Sequence, residues 1–166
     1  FNLTSFSNST VTGGSSSGNS SYGFYLTGSA NNRFVGNSAS SNKSEGFYLF
    51  SSSDGNSLTG NTSSKNSSHG FALSNSINSV FSGNTTDSNA GWAYHLSGAS
   101  TMASDTFQGN NFYPSLLAAY RDSGVYNGTA SNFQFSFTRS WWSQTDSTAI
   151  RAMLGGGAQD SRVKIT

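Results

Sequence analysis

The residues Gly-Phe-Tyr-Leu occupy positions 23–26 and return at 46–49, followed by Gly-Phe-Ala-Leu at 70–73 and Ala-Tyr-His-Leu at 93–96. The leucines of this phrase, Leu3, Leu26, Leu49, Leu73 and Leu96, are spaced by 23, 23, 24 and 23 residues. Two places before each stands an aromatic: Phe1, Phe24, Phe47, Phe71 and Tyr94. A second phrase keeps the same beat, with Val11, Phe34, Leu58, Phe81 and Phe107 each followed two residues later by Gly. Two phrases in step make a true repeat. A repeat this short cannot bury its own apolar residues and must stack against neighbouring copies.

Within each phrase large apolar residues alternate with smaller or polar ones, the period of a strand, and Ser, Asn and Gly fill the gaps as turns. A unit of about 23 residues made of short strands and polar turns predicts one coil of a parallel β-solenoid. Coils then rise by about 4.8 Å, the spacing of paired strands. Equivalent residues become vertical neighbours, and the aromatics, the leucines and the Val11 series form three interior columns. Asn37, Asn61, Asn84 and Asn110 close the second phrase and are expected to form an amide ladder. Asn19, Asn42, Asn66 and Asn89 form a second row, in a turn. Gly23, Gly46 and Gly70 are expected to adopt a backbone conformation forbidden to other residues.

Composition agrees. Charged residues are 9% of the chain, against about 25% in an average soluble domain, while aromatics reach 14%. So many aromatics argue against a solvated coil. The net charge is +1 with no basic run, which excludes a nucleic-acid binder of the electrostatic kind. No apolar stretch reaches the roughly 20 residues of a membrane span. With no cysteine, disulfides and thiolate metal sites are excluded. Scarce charge and abundant Ser, Thr and Asn predict an extracellular or cell-surface protein.

The pattern N-x-F-x-G-N … N-x-x-x-G-F-Y-L resembles the right-handed parallel β-helix repeats of the NosD-like and pectin-lyase-like superfamily, over about residues 1–110. The resemblance implies an all-β, single-stranded right-handed parallel β-helix with three short strands per coil, a three-sided prism. After Asn110 the beat fails, and residues 112–131 read as an irregular coil. Residues 132–138 alternate as a strand. Asp146 is a candidate N-cap for a short helix with Ala149, Ile150, Met153 and Leu154 on one face and Gly155 ending it. Residues 162–166 resume a strand. The expected division is coils over 1–131 and a strand-helix-strand cap over 132–166, in which, by the same likeness, Trp141 and Trp142 cover the end of the solenoid. Phe1 falls in mid-coil, so the N-terminal end is expected to meet an upstream domain or a second copy stacked head to tail, a contact that can extend into a filament.

The resemblance also implies chemistries to test. Polysaccharide-cleaving members of the fold set acidic groups in neighbouring coils. Here Glu45, Asp54, Asp87 and Asp105 fall in different columns, and Asp122, Asp146 and Asp160 lie in the irregular or terminal parts. No catalytic residue is assigned. The NosD name implies copper, but His69 and His95 fall in different columns and, with Met102 and Met153, show no ligand spacing. No metal or cofactor is assigned, and the histidines are expected at the surface. Tyr25 and Tyr48 point outward one coil apart. Such a pair either stacks on sugar rings or stabilises the sheet. Eight asparagines match N-x-S/T, too near the roughly six that chance gives for eighteen Asn in so Ser/Thr-rich a chain to be evidence by itself. Asn61 and Asn84 belong to a ladder. Asn19, Asn42 and Asn66, in one turn row, are the candidate stripe of glycan acceptors, with Asn2, Asn8 and Asn127 as further candidates. The leading expectation is a non-catalytic surface module, structural or adhesive. The second is a carbohydrate-binding or polysaccharide-cleaving domain.

Overall fold

The computed structural model describes residues 1–98 and 105–113, together with the strands at 125–127, 135–138, 154–156 and 163–165. Five coils each carry three strands. The first holds β1 (Asn2–Thr4), β2 (Thr10–Thr12) and β3 (Ser15–Ser17), and the second β4 (Phe24–Thr27), β5 (Arg33–Val35) and β6 (Ser38–Ser40). The third holds β7 (Phe47–Phe50), β8 (Ser57–Thr59) and β9 (Thr62–Ser64), and the fourth β10 (Phe71–Ser74), β11 (Val80–Ser82) and β12 (Thr85–Asp87). The fifth is β13 (Tyr94–Ser97), β14 (Thr106–Gln108) and β15 (Asn111–Tyr113). Beyond it lie β16 (Val125–Asn127), β17 (Phe135–Thr138), β18 (Leu154–Gly156) and β19 (Val163–Ile165).

Within the five coils every third strand pairs in parallel. The first sheet runs β1-β4-β7-β10-β13-β16-β18, the second β2-β5-β8-β11-β14-β17-β19, and the third β3-β6-β9-β12-β15. Registers match the repeat: Phe24 pairs with Phe47, Phe47 with Phe71, and Phe71 with Tyr94. The expected strands at 132–138 and 162–166 appear as β17 and β19. The helix expected from Asp146, and Trp141 and Trp142, lie outside the described residues. Leu154 and Gly155, its expected last residue and stop, stand instead in β18, paired with Val125 and Tyr126.

The predicted columns form the core. Phe1, Phe24, Phe47, Phe71 and Tyr94 stack with ring centroids 4.8, 4.8, 4.9 and 5.0 Å apart and planes within 12° of parallel. Phe34, Phe81 and Phe107 meet this column edge-on, as in Phe71–Phe81 at 5.9 Å and 78°. Face-to-face within a column and edge-to-face between columns satisfies the ring quadrupoles in both directions. Each of these rings except Phe1 is fully buried, and each burial contributes about 1.5–3 kcal/mol.

Asparagine closes the corners. The Asn61 backbone N–H donates to Asn84 Oδ1 at 2.9 Å, and its Nδ2 donates to the same oxygen at 3.0 Å and to the Phe34 carbonyl at 3.0 Å. Asn42 and Asn66 repeat this geometry in the second row. Glycine does two different jobs. Gly36, Gly60 and Gly83, before the ladder asparagines, have φ of 61°, 63° and 62°, the left-handed region. Gly23, Gly46 and Gly70 do not, which corrects the expectation for them. Their constraint is space: a Cβ on Gly70 would lie 2.8 Å from the Ala93 carbonyl and 3.0 Å from Thr86 Cγ2.

Candidate functional site

Two outward columns of the first sheet carry both histidines, Glu45 and a run of aromatic side chains of the described coils. One climbs from Tyr25 through Tyr48 and Ala72 to His95, in register. The other, at the turn entering the sheet, holds Tyr22, Glu45, His69 and Trp92, one residue before each Gly or Ala of the phrase. All but buried Ala72 are half-buried.

On the lower coils these columns merge into one aromatic patch. Tyr22 stacks on Tyr25 with centroids 4.8 Å apart, and Tyr48 lies 5.4 Å from Tyr22 and 5.6 Å from Tyr25. Phe50, two residues along β7 and so on the same face, is 5.6 Å from Tyr48. The Glu45 carboxylate borders the rings and accepts hydrogen bonds from the hydroxyls of Ser44 and Ser68, the latter at 2.8 Å. Burial raises the Tyr22 phenol above its ordinary value, with the Glu45 charge adding to the shift. Burial likewise raises that of Tyr48. Both therefore stay protonated at neutral pH and keep an O–H donor. Tyr22 and Tyr25 also border an open recess of about 430 Å³ with Asn2, Asn19 and Ser21.

Above the patch the two histidines come together, contrary to the expectation that they stand apart at the surface. The rings of His69 and His95 stack 4.2 Å apart and 2° from parallel. They occupy adjacent columns one coil apart, a diagonal that column-by-column reading overlooks. The backbone N–H of Trp92 donates to His69 Nδ1 at 2.9 Å, which makes His69 a neutral ring with its proton on Nε2. Burial lowers its pKa to about 4, with the His95 ring adding to the shift and Glu45 opposing it. Burial also lowers that of His95.

The remaining candidates divide. Asn42 and Asn66 are fully buried, with both amide nitrogens donating inside the ladder. This corrects their assignment as glycan acceptors: the turn row faces the core, where no sugar fits. Asn61 and Asn84 are buried in the other ladder. Asn2, Asn8 and Asn19 are exposed, although Asn19 Nδ2 donates to Asn42 Oδ1 at 2.7 Å. Asn127 lies in β16, paired with Leu96. Among the acids, Asp105 is buried and feels the charge of Asp54, while Glu45 stands on the outer face. Asp122, Asp146 and Asp160 lie outside the described residues. Sequence reading singled out Tyr25 and Tyr48 but not Tyr22 and Phe50. Their signal was available as outward positions flanking the same phrase.

The profile of a family described as periplasmic copper-binding protein (NosD) matches residues 1–136. No curated protein and no solved structure matches the chain. That description directs attention to copper, and the donors of the described coils do not fit it. The lone pair of an imidazole nitrogen lies in the ring plane, so two parallel rings aim theirs along parallel lines. One ion cannot sit in both planes at a bond length of about 2 Å. His69 Nδ1 is already engaged by Trp92. Among the described residues no three His, Cys, Asp or Glu side chains gather where they could hold a metal ion. Met102 and Met153 lie outside the described residues. The match spans residues 1–136, most of the chain and all five coils, and on that ground the chain belongs to the NosD family.

Proposed function

We propose that the protein is a non-catalytic surface module whose first sheet holds glycan on its outer face. Members of its family are periplasmic, so the chain works outside the cytoplasm. No described helix is long and apolar enough to cross a membrane.

The observation that carries this reading is the continuous patch of Tyr22, Tyr25, Tyr48 and Phe50 beside Glu45. Aromatic faces with phenol hydroxyls offer an apolar surface for the C–H face of a sugar ring and polar tips for its hydroxyls. The surrounding wall is Ser- and Thr-rich and nearly uncharged, which suits a neutral ligand. Glu45, already held by two serine hydroxyls, is a ready acceptor for sugar O–H groups. The non-catalytic part rests on the described acids: Glu45 stands on the outer face of the first sheet, Asp54 in the turn before β8 of the second and Asp87 in β12 of the third, while Asp105 is buried, so no two of them share a wall on which they could flank one glycosidic bond.

The test is binding of soluble neutral polysaccharides to the wild type and to Tyr48→Ala and Tyr25→Ala/Tyr48→Ala variants whose thermal unfolding is checked in parallel. Loss of one stacked ring should weaken binding about tenfold, and the saccharide should be recovered uncleaved. Equal affinity for all three proteins would sink the assignment of the patch. Release of shortened chains would sink the non-catalytic reading.

A further inference from the structure

The turn side chains that lead into the second sheet read Asn32, Asn56, Ser79 and Asp105 from the second coil to the fifth. The Asn32 backbone N–H donates to Asn56 Oδ1 at 2.8 Å, and the Ser79 N–H donates to Asp105 Oδ1 at 2.7 Å. In the asparagines the other half of the amide is a donor. Asn32 Nδ2 reaches the Phe6 carbonyl at 2.7 Å, and Asn56 Nδ2 reaches the carbonyls of Ser29 and Ser53, both at 2.8 Å. Asp105 keeps the accepting half of this arrangement. With Oδ1 seated as in asparagine, planarity of the carboxyl puts Oδ2 in the place of the Nδ2 donor.

That oxygen is buried and has no hydrogen-bond partner, and neither has Ser79 Oγ beside it in the row. Orphaned polar atoms in a core are uncommon and demand a reason. A bare carboxylate oxygen is the wrong group for a rung that ends in a donor. A carboxylic acid, with its proton on Oδ2, is the right one. We propose that Asp105 is a proton-controlled rung: as a neutral acid it substitutes for asparagine and ties the fifth coil to the fourth, and its ionisation loosens that tie.

The surroundings agree. Burial raises the Asp105 pKa to about 7, the Ser79 N–H opposes the shift, and the Asp54 carboxylate adds to it. Among the described residues Asp54 is the other charge acting on the group, and the rest of the row is neutral. The sign follows. Between the ordinary value of 3.8 and about 7 the folded coil holds a proton that the unfolded chain has released. Stability from this rung is complete below the ordinary value, declines as pH rises through the window, and levels off above the folded pKa. A periplasmic protein meets such pH changes directly.

Two measurements on the whole chain test this. Carbon-detected NMR of the wild type should show the Asp105 carboxyl titrating close to 7. Hydrogen exchange at the amides of Ser79 and Thr106, the latter donating to the Ser79 carbonyl at 2.9 Å, is compared with Asp105→Asn at each pH, which cancels intrinsic exchange. The two proteins should match near pH 4. Wild-type opening should then rise relative to the variant, approaching tenfold per pH unit, until about pH 7. Titration in the ordinary carboxylate range, or a ratio flat with pH, overturns the proposal. So does a titration displaced by millimolar calcium, which would make Asp105 a cation ligand. If Asp105→Asn does not fold, the wild-type titration alone decides.

Discussion

The imidazole of His69 lies flat against that of His95, with ring centroids 4.2 Å apart, while its Nδ1 accepts the backbone N–H of Trp92. Protonating His69 therefore breaks a hydrogen bond and puts a charge beside a second imidazole in a half-buried position. Its folded pKa, about 4, lies below the ordinary 6.5, so the stability it contributes is full above 6.5 and is lost as pH falls through the window. In an Asp105→Asn background, which removes the opposing slope of that rung, we expect stability to drop on acidification from pH 6.5 to 4, by up to about 1.4 kcal/mol per pH unit from His69. His69→Gln, followed by urea unfolding across the same range, should show a shallower slope. An unchanged slope would mean that another group governs acid sensitivity. The slope expected for Asp105 runs the opposite way, so the two variants separate the contributions.

Copper provides a second check. Because the stacked rings cannot share an ion, a His69→Ala/His95→Ala variant should bind Cu(II) with the same stoichiometry and affinity as wild type in calorimetric titration. Loss of a site in the double variant would show that the pair rearranges to coordinate metal.

Glycine replacements distinguish crowding from backbone strain. A Cβ on Gly46 would collide with Ser63 Oγ and approach the Gly70 carbonyl at 2.8 Å. Gly36 has open space but a φ of 61°. Gly46→Ala should cost about 3 kcal/mol through overpacking, and Gly36→Ala about 1 kcal/mol through left-handed strain. Chemical denaturation of both decides, and the reverse order would contradict the assigned roles.

Asn61→Ala removes the acceptor for the Asn37 backbone N–H and the donor to the Phe34 carbonyl, both in the core. Leaving such groups unpaired costs about 1–3 kcal/mol each. We expect at least about 2 kcal/mol of destabilisation by thermal or urea unfolding, with amide exchange at Asn37 accelerated first. An exposed asparagine such as Asn2 serves as the control, and similar losses at both positions would deny the ladder its role.

Much of the fold was legible in the chain because the repeat is vertical. Phe24, Phe47 and Phe71 are 23 and 24 residues apart, and parallel pairing converts that interval into contact whatever the shape of the coil. The Asn37–Asn61–Asn84 ladder was readable for the same reason. Lateral relations were not, since they depend on how sharply each turn bends and how far a side chain leans across columns. The packing of Tyr22 and Phe50 around Tyr48 and the meeting of His69 with His95 are of that kind. So is the burial of Asn42 and Asn66, whose turn folds inward.

Sequence by itself thus determined which residues lie above one another, because strand pairing at a constant period admits a single vertical register. Tertiary structure alone decided what lies side by side and what faces water. It assigned Gly46 its role through crowding, gathered the outer aromatic wall, and left Asp105 Oδ2 without a partner. The physical reason is that vertical order comes from backbone hydrogen bonds repeated every coil. Lateral order comes from the angle of each corner and the volume of the particular side chains that meet there.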